Sequence, residues 1–193
     1  INEFASTAIT QLGLSETSAK QYASTMGAML KSMGLSTNQA LEMSKAITSL
    51  SADMASFYNL DNDMAFEKIR AGISGETEPL KALGINMSVA NMEAYALSQG
   101  INKAYDSMSQ SEQAILRYNY LLSVTADAQG DFARTSNGWA NQTRILTEQW
   151  NAFKATMGQA FINILSPVVK WLNIVISKLQ IAANAFKSFI EQV

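Results

Sequence analysis

Apolar residues recur at spacings of three and four through most of this chain, the period of a helix rather than the alternation of a strand. Between Ser36 and Asn59 they fall at Ala40, Met43, Ile47, Leu50, Met54 and Phe57, one stripe along one helix. The joints between such stretches are patterned too. Gly13-Leu14-Ser15 and Gly34-Leu35-Ser36 share one form. The glycine takes the left-handed conformation that ends a helix, the leucine packs back on the last turn, and the serine caps the next helix. Gln39 stands three residues after Ser36, and Glu112 three after Ser109, the spacing of a capping box. Gly84-Ile85 followed by Ser88 is a looser copy, Asp61 is placed to cap the helix through Phe66 and Ile69, and Pro79 fits the first turn of a short helix ending at Gly84. Residues 1–130 therefore predict a compact cluster of short helices.

The texture changes after Gly130. The polar string from Gly130 to Gly138 predicts a linker over 131–138. From Trp139 an apolar stripe runs through Thr143, Leu146, Trp150, Phe153, Met157, Ala160 and Ile164. It resumes beyond Pro167 at Val168, Leu172, Val175, Leu179, Ala182, Phe186, Phe189 and Val193. The pattern predicts two long amphipathic helices over 139–193, bent at Pro167, with Ser166 capping the second. Heptad-like spacing of this kind favours helix partners, which makes these side chains, Leu146 to Phe189, the candidate packing or oligomer surface. The fold class expected is all-α. The chain opens at Ile1 without a methionine and stops at Val193 within the helical pattern. A segment of a longer polypeptide, whose helices continue past it, is the expectation.

Composition narrows the chemistry. At 48% hydrophobic and 16% charged, the chain can bury a core, and only 2 prolines and 10 glycines interrupt it. No histidine and no cysteine are present, which removes the commonest general base, thiolate nucleophiles and the commonest metal ligands. The net charge of −2 is not that of a nucleic-acid-binding face. Residues 1–143 carry nine Lys/Arg against fourteen Asp/Glu, and residues 144–193 five against two, so an acidic part precedes a basic one. The paired acids Asp61 with Asp63 and Glu76 with Glu78 stand at helix starts, where negative charge complements the dipole, and are read as structural. Arg117, Arg134 and Arg144 are read as surface or inter-helix ion pairs. The ten methionines are read as core filling, and Trp139, Trp150 and Trp171 as packing anchors. Between Ala160 and Ile190, polar residues from Asn163 to Gln180 leave no run of about eighteen apolar residues, so no spanning helix is expected. No enzyme activity, cofactor or metal is expected.

Three longer strings carry a family signal. Residues 52–59 read ADMASFYN, residues 65–87 read AFEKIRAGISGETEPLKALGINM, and residues 116–146 read LRYNYLLSVTADAQGDFARTSNGWANQTRIL. They resemble the tape measure, or minor tail, proteins of long-tailed phages and prophages of Gram-positive bacteria, and the likeness covers most of the chain. The resemblance implies a structural virion protein that fills the tail tube lumen during assembly, acts in length determination and leaves ahead of the genome at ejection. It implies a homo-oligomer, with a trimer fitting the symmetry of a tube. It also implies tail tube and tail tip proteins and tail assembly chaperones as partners, and the host membrane at ejection, with no sequence-specific nucleic acid. The alternative is a helical adaptor or membrane-active module of a phage tail or contractile injection machine. The places expected are the virion, in the tail lumen or tip, and the host cytoplasm during assembly.

Overall fold

In the computed structural model of the chain, residues 1–190 are described, with the side chains of 157–165, 185–186 and 188–190 set aside. The described residues form α-helices joined by short turns, with no strand among them. The helices are α1 (Asn2–Ser6), α2 (Ala8–Leu12), α3 (Glu16–Ser32), α4 (Thr37–Phe57), α5 (Asn62–Ser74), α6 (Glu78–Lys81), α7 (Val89–Ser98), α8 (Gln110–Val124), α9 (Asp131–Thr135) and α10 (Trp139–Ile190), with a 3₁₀ turn at Tyr105–Ser107. The chain divides into two units, Ile1–Gln149 and Trp150–Val193.

The joints of the first unit follow the local code. Gly13 and Gly34 adopt φ of 62° and 97°, and the amides of Leu14 and Leu35 reach back to the carbonyls of Ala8 and Leu30. Both leucines are buried, so each joint fixes a helix end and supplies a core contact. Ser15, Ser36, Asp61, Ser88 and Ser109 each cap the helix that follows, and full capping boxes form at Ser36 with Gln39 and at Ser109 with Glu112. Each such cap stabilises its helix by about 1 kcal/mol.

Helix α4 is the spine of this unit, packed on α3, α5 and α9. Its stripe Ala40, Met43, Ile47, Leu50 and Met54 is buried as expected, whereas Phe57 is exposed. The polar residues Ser44, Thr48 and Ser51 are buried as well, because each hydroxyl donates to a carbonyl one turn earlier in the same helix. Ile69, Ile73, Leu80, Met92 and Leu121 complete a shared core. Burying a side chain of this size contributes roughly 1.5–3 kcal/mol. Six methionines, Met26, Met43, Met54, Met87, Met92 and Met108, are core residues, in line with their reading as filling.

The expected linker is different in the structure. Residues 131–135 form α9, whose Phe132 is fully buried, and the boundary between units falls after Gln149 rather than at Gly138. A polar string with a single aromatic does not read as a docked helix, yet one buried phenyl ring and a set of backbone hydrogen bonds hold it. The two amphipathic stretches expected on either side of Pro167 lie in one helix, α10, which continues through the proline. Proline there costs the one amide bond it cannot donate. Within the second unit, Val168, Leu172 and Leu179 are exposed, Val175 is half-buried, and Trp150 stacks on Phe153 at 5.7 Å between ring centroids.

Candidate functional site

Where α4 ends, the chain builds a polar clasp that fixes the start of α10. Asp53, on the last turns of α4, accepts the amides of Gly130 (2.8 Å) and Phe132 (3.2 Å), so a carboxylate of one helix caps the beginning of another. Burial pushes the Asp53 carboxyl above its usual range, and the two amide bonds work against that shift. Ser56 donates to Asp131 Oδ2 at 2.6 Å, while Asn141 Nδ2 donates to Ser56 Oγ at 2.9 Å and to Thr135 Oγ1 at 2.8 Å. Arg144 Nη2 donates to the carbonyls of Leu60 (2.6 Å) and Ala55 (3.2 Å), at the end of α4 and just beyond it. Burial lowers the pKa of that guanidinium. Asn59, with φ of 52°, closes α4, and the Leu60 amide reaches the Ala55 carbonyl beneath it.

These contacts join two of the strings singled out in the sequence, 52–59 and 116–146. The third is joined to α8 in a similar way. Arg117 is only 9% exposed and forms no salt bridge among the described residues. It donates to the Ile73 carbonyl at the end of α5 (3.0 Å), to Gln113 Oε1 (3.1 Å) and to the Tyr105 hydroxyl. Gly75 lies under it, and Gly72 lies under Leu80, where a Cβ would come within 2.1 Å of the leucine Cδ1. Arg117 and Arg144 are therefore not ion pairs, as the sequence implied, but cations held on helix C-terminal carbonyls. Arg134 does approach Asp131, at 3.5 Å.

The paired acids are structural at three of four positions. Asp61 caps α5, Asp63 accepts the Tyr22 hydroxyl, and Glu78 pairs with Lys81. Burial, together with Asp63, raises the Tyr22 pKa. No group of three or more potential ligands that would hold a metal occurs among the described residues.

The candidate stripe lies on the outer side of the first turns of α10. Asn141 is 4% exposed, and Arg144, Ile145 and Glu148 are half-buried, whereas Leu146 is 66% exposed and Trp139 88%. Positions 141, 144, 145 and 148 share one helical face, so the polar face docks and the apolar face points away. Trp139 is thus no anchor, and Trp150, Phe153, Val168, Trp171, Leu172 and Leu179 are exposed too. The side chains of Met157, Ile164, Phe186 and Phe189 lie outside the described residues. Asp53 and Phe132 were missed by sequence reasoning, since their partners stand 77 or more residues away or are reached only through the fold.

Comparison with models of known protein families, with curated proteins and with solved structures finds no match.

Proposed function

We propose that this chain is a structural, non-enzymatic helical protein, and more narrowly a segment of a phage tail tape measure protein acting in tail assembly, length determination and genome ejection. One observation carries the reading. The three strings that resemble that family are tied to one another, with Asp53 and Ser56 holding 130–141 and Arg117 holding the Ile73 carbonyl. A likeness in segments that clamp one another is the likeness of a shared fold rather than of scattered composition. The exposed stripe of α10 supports self-association in the same reading, since a helix with a wide apolar surface needs a cover. Tail tube, tail tip and chaperone proteins are the proposed partners.

A membrane-active module is the second reading, favoured by the exposed Trp171, Leu172, Ile174, Ile176, Leu179 and Ile181. Among the described residues no helix is long and apolar enough to cross a membrane.

Electron microscopy of particles made by a prophage carrying the gene tests the first reading. In-frame deletions in the parent's helical regions are expected to shorten tails by about 1.5 Å per residue removed. Normal tails after loss of the whole gene overturn it.

A further inference from the structure

We infer that the first turns of α10 form a latch that closes in acid. They seat Glu148 against the like charge of Asp61 and Asp63, and a proton on Glu148 lets the latch close fully. Residues 139–149 belong to the first unit, so latch and seat share one compact body.

Little apolar contact holds this stretch. Of the four positions on its docked face, Asn141, Arg144 and Glu148 are polar, and Ile145 is only half-buried. Asn141 is held by Ser56 and Thr135, and Arg144 by the carbonyls of Ala55 and Leu60. Hydrogen bonds of this kind replace bonds to water at a modest net gain, so a small change in charge can tip the balance. Depressions of about 360 and 390 Å³, both lined by Ala140 and Arg144, leave the joint loosely filled.

Charge opposes the closure. Asp61 and Asp63 stand at the first turn of α5, and Asp61 lines the same depression as Arg144 and Glu148. None of the three carboxylates forms a salt bridge among the described residues. Arg144, the cation of that lining, donates through Nη2 to carbonyls instead. Tyr22 of α3 faces the same group, gives its hydroxyl proton to Asp63 in a hydrogen bond and, with its pKa raised, stays neutral. Glu148 is half-buried, and burial, then Asp63 and Asp61, raise the pKa of its carboxyl above the ordinary 4.5. The seated carboxyl thus holds its proton more tightly than one released to water. Seating is weakest above the raised pKa, gains as pH falls through it, and gains no more below 4.5, where the released carboxyl is protonated too. Asp53, whose carboxyl burial also pushes up, holds the start of α9 and faces Asp131 and Arg134 instead. The inference stands apart from the tail function proposed above.

The chain has no cysteine, so Met64→Cys and Gln149→Cys, both at exposed positions, place two spin labels without background. Double electron–electron resonance on the full 193-residue chain is expected to show one narrow distance at pH 4.5. At about pH 8 a second population at longer distance is expected, with helical content by circular dichroism unchanged. Adding Glu148→Gln is expected to abolish the longer population at about pH 8, because the amide carries no charge. Salt at about 1 M is expected to reduce it without that substitution. Identical distances at the two pH values overturn the proposal, as does a pH dependence that Glu148→Gln leaves intact.

Discussion

Phe132 lies so close to Gly13 that a Cβ on the glycine would stand 2.5 Å from the phenyl Cε2. Because Gly13 also holds φ at 62°, Gly13→Ala meets strain and a clash together. It is expected to lower unfolding free energy by about 1–3 kcal/mol in urea melts. Phe132→Ala, which empties the site instead, is expected to cost about 3–5 kcal/mol. A wild-type midpoint in Gly13→Ala would mean α9 is not seated on the α2 turn.

Arg117 holds the end of α5 through the Ile73 carbonyl, with no salt bridge among the described residues. Replacement by methionine strands the Ile73 carbonyl, Gln113 and the Tyr105 hydroxyl away from water, at an expected cost of about 2–4 kcal/mol. Lysine at this position keeps the charge but not the fork of donors, and should recover only part of the loss. Equal stability of R117K and wild type would show that charge at the helix end, not hydrogen-bond geometry, is what counts.

Glu112 gives the unit a distinct acid response. Its hydrogen bond to Lys103, then its bonds to Ser109, lower its pKa to about 2 from 4.5. A carboxyl with a depressed folded pKa stabilises above the unfolded value and ceases to do so as pH falls through the folded one. Melting temperature should therefore decline between pH 4.5 and about 2, and Glu112→Gln should remove this part of the decline. The group is fully exposed, so salt should blunt the effect. An unchanged pH profile in the variant would rule out the assignment.

The outward stripe of α10 predicts concentration-dependent association. Sedimentation of the full chain is expected to show oligomers at high concentration. Placing serine at Trp171, Leu172, Ile174 and Leu179, all exposed, is expected to return it to a monomer without changing helical content. A wild-type chain that stays monomeric throughout would leave the stripe for another kind of partner.

Much of the compact unit was legible because its signals are local. A cap needs two residues three apart, and Ser15, Ser36, Ser88 and Ser109 sit where that rule puts them. The helical stripe of α4 is read the same way, and it failed only at Phe57, beside the helix end. The clasp was not legible, because Asp53 and Gly130 are joined only by the fold, and because a backbone amide or carbonyl leaves no trace in a sequence. For the same reason Arg117 and Arg144 seemed to need acids. For α10, period alone does not say which face a helix turns to its own domain.

Helices α1 to α8 join through turns that fix neighbours in sequence, and α4 meets α3 and α5 across short separations. The clasp closes longer loops, bringing 130–144 back to 52–60. Contacts between sequence neighbours form sooner than those that close long loops. A ribosome therefore releases a chain whose first helices can collapse while α9 is still being made. Phe132 and the start of α10 then add to a surface that already exists, and until that moment the ends of α4 and α5 differ in readiness. The carbonyl beneath Arg117 is covered early, and those beneath Arg144 last.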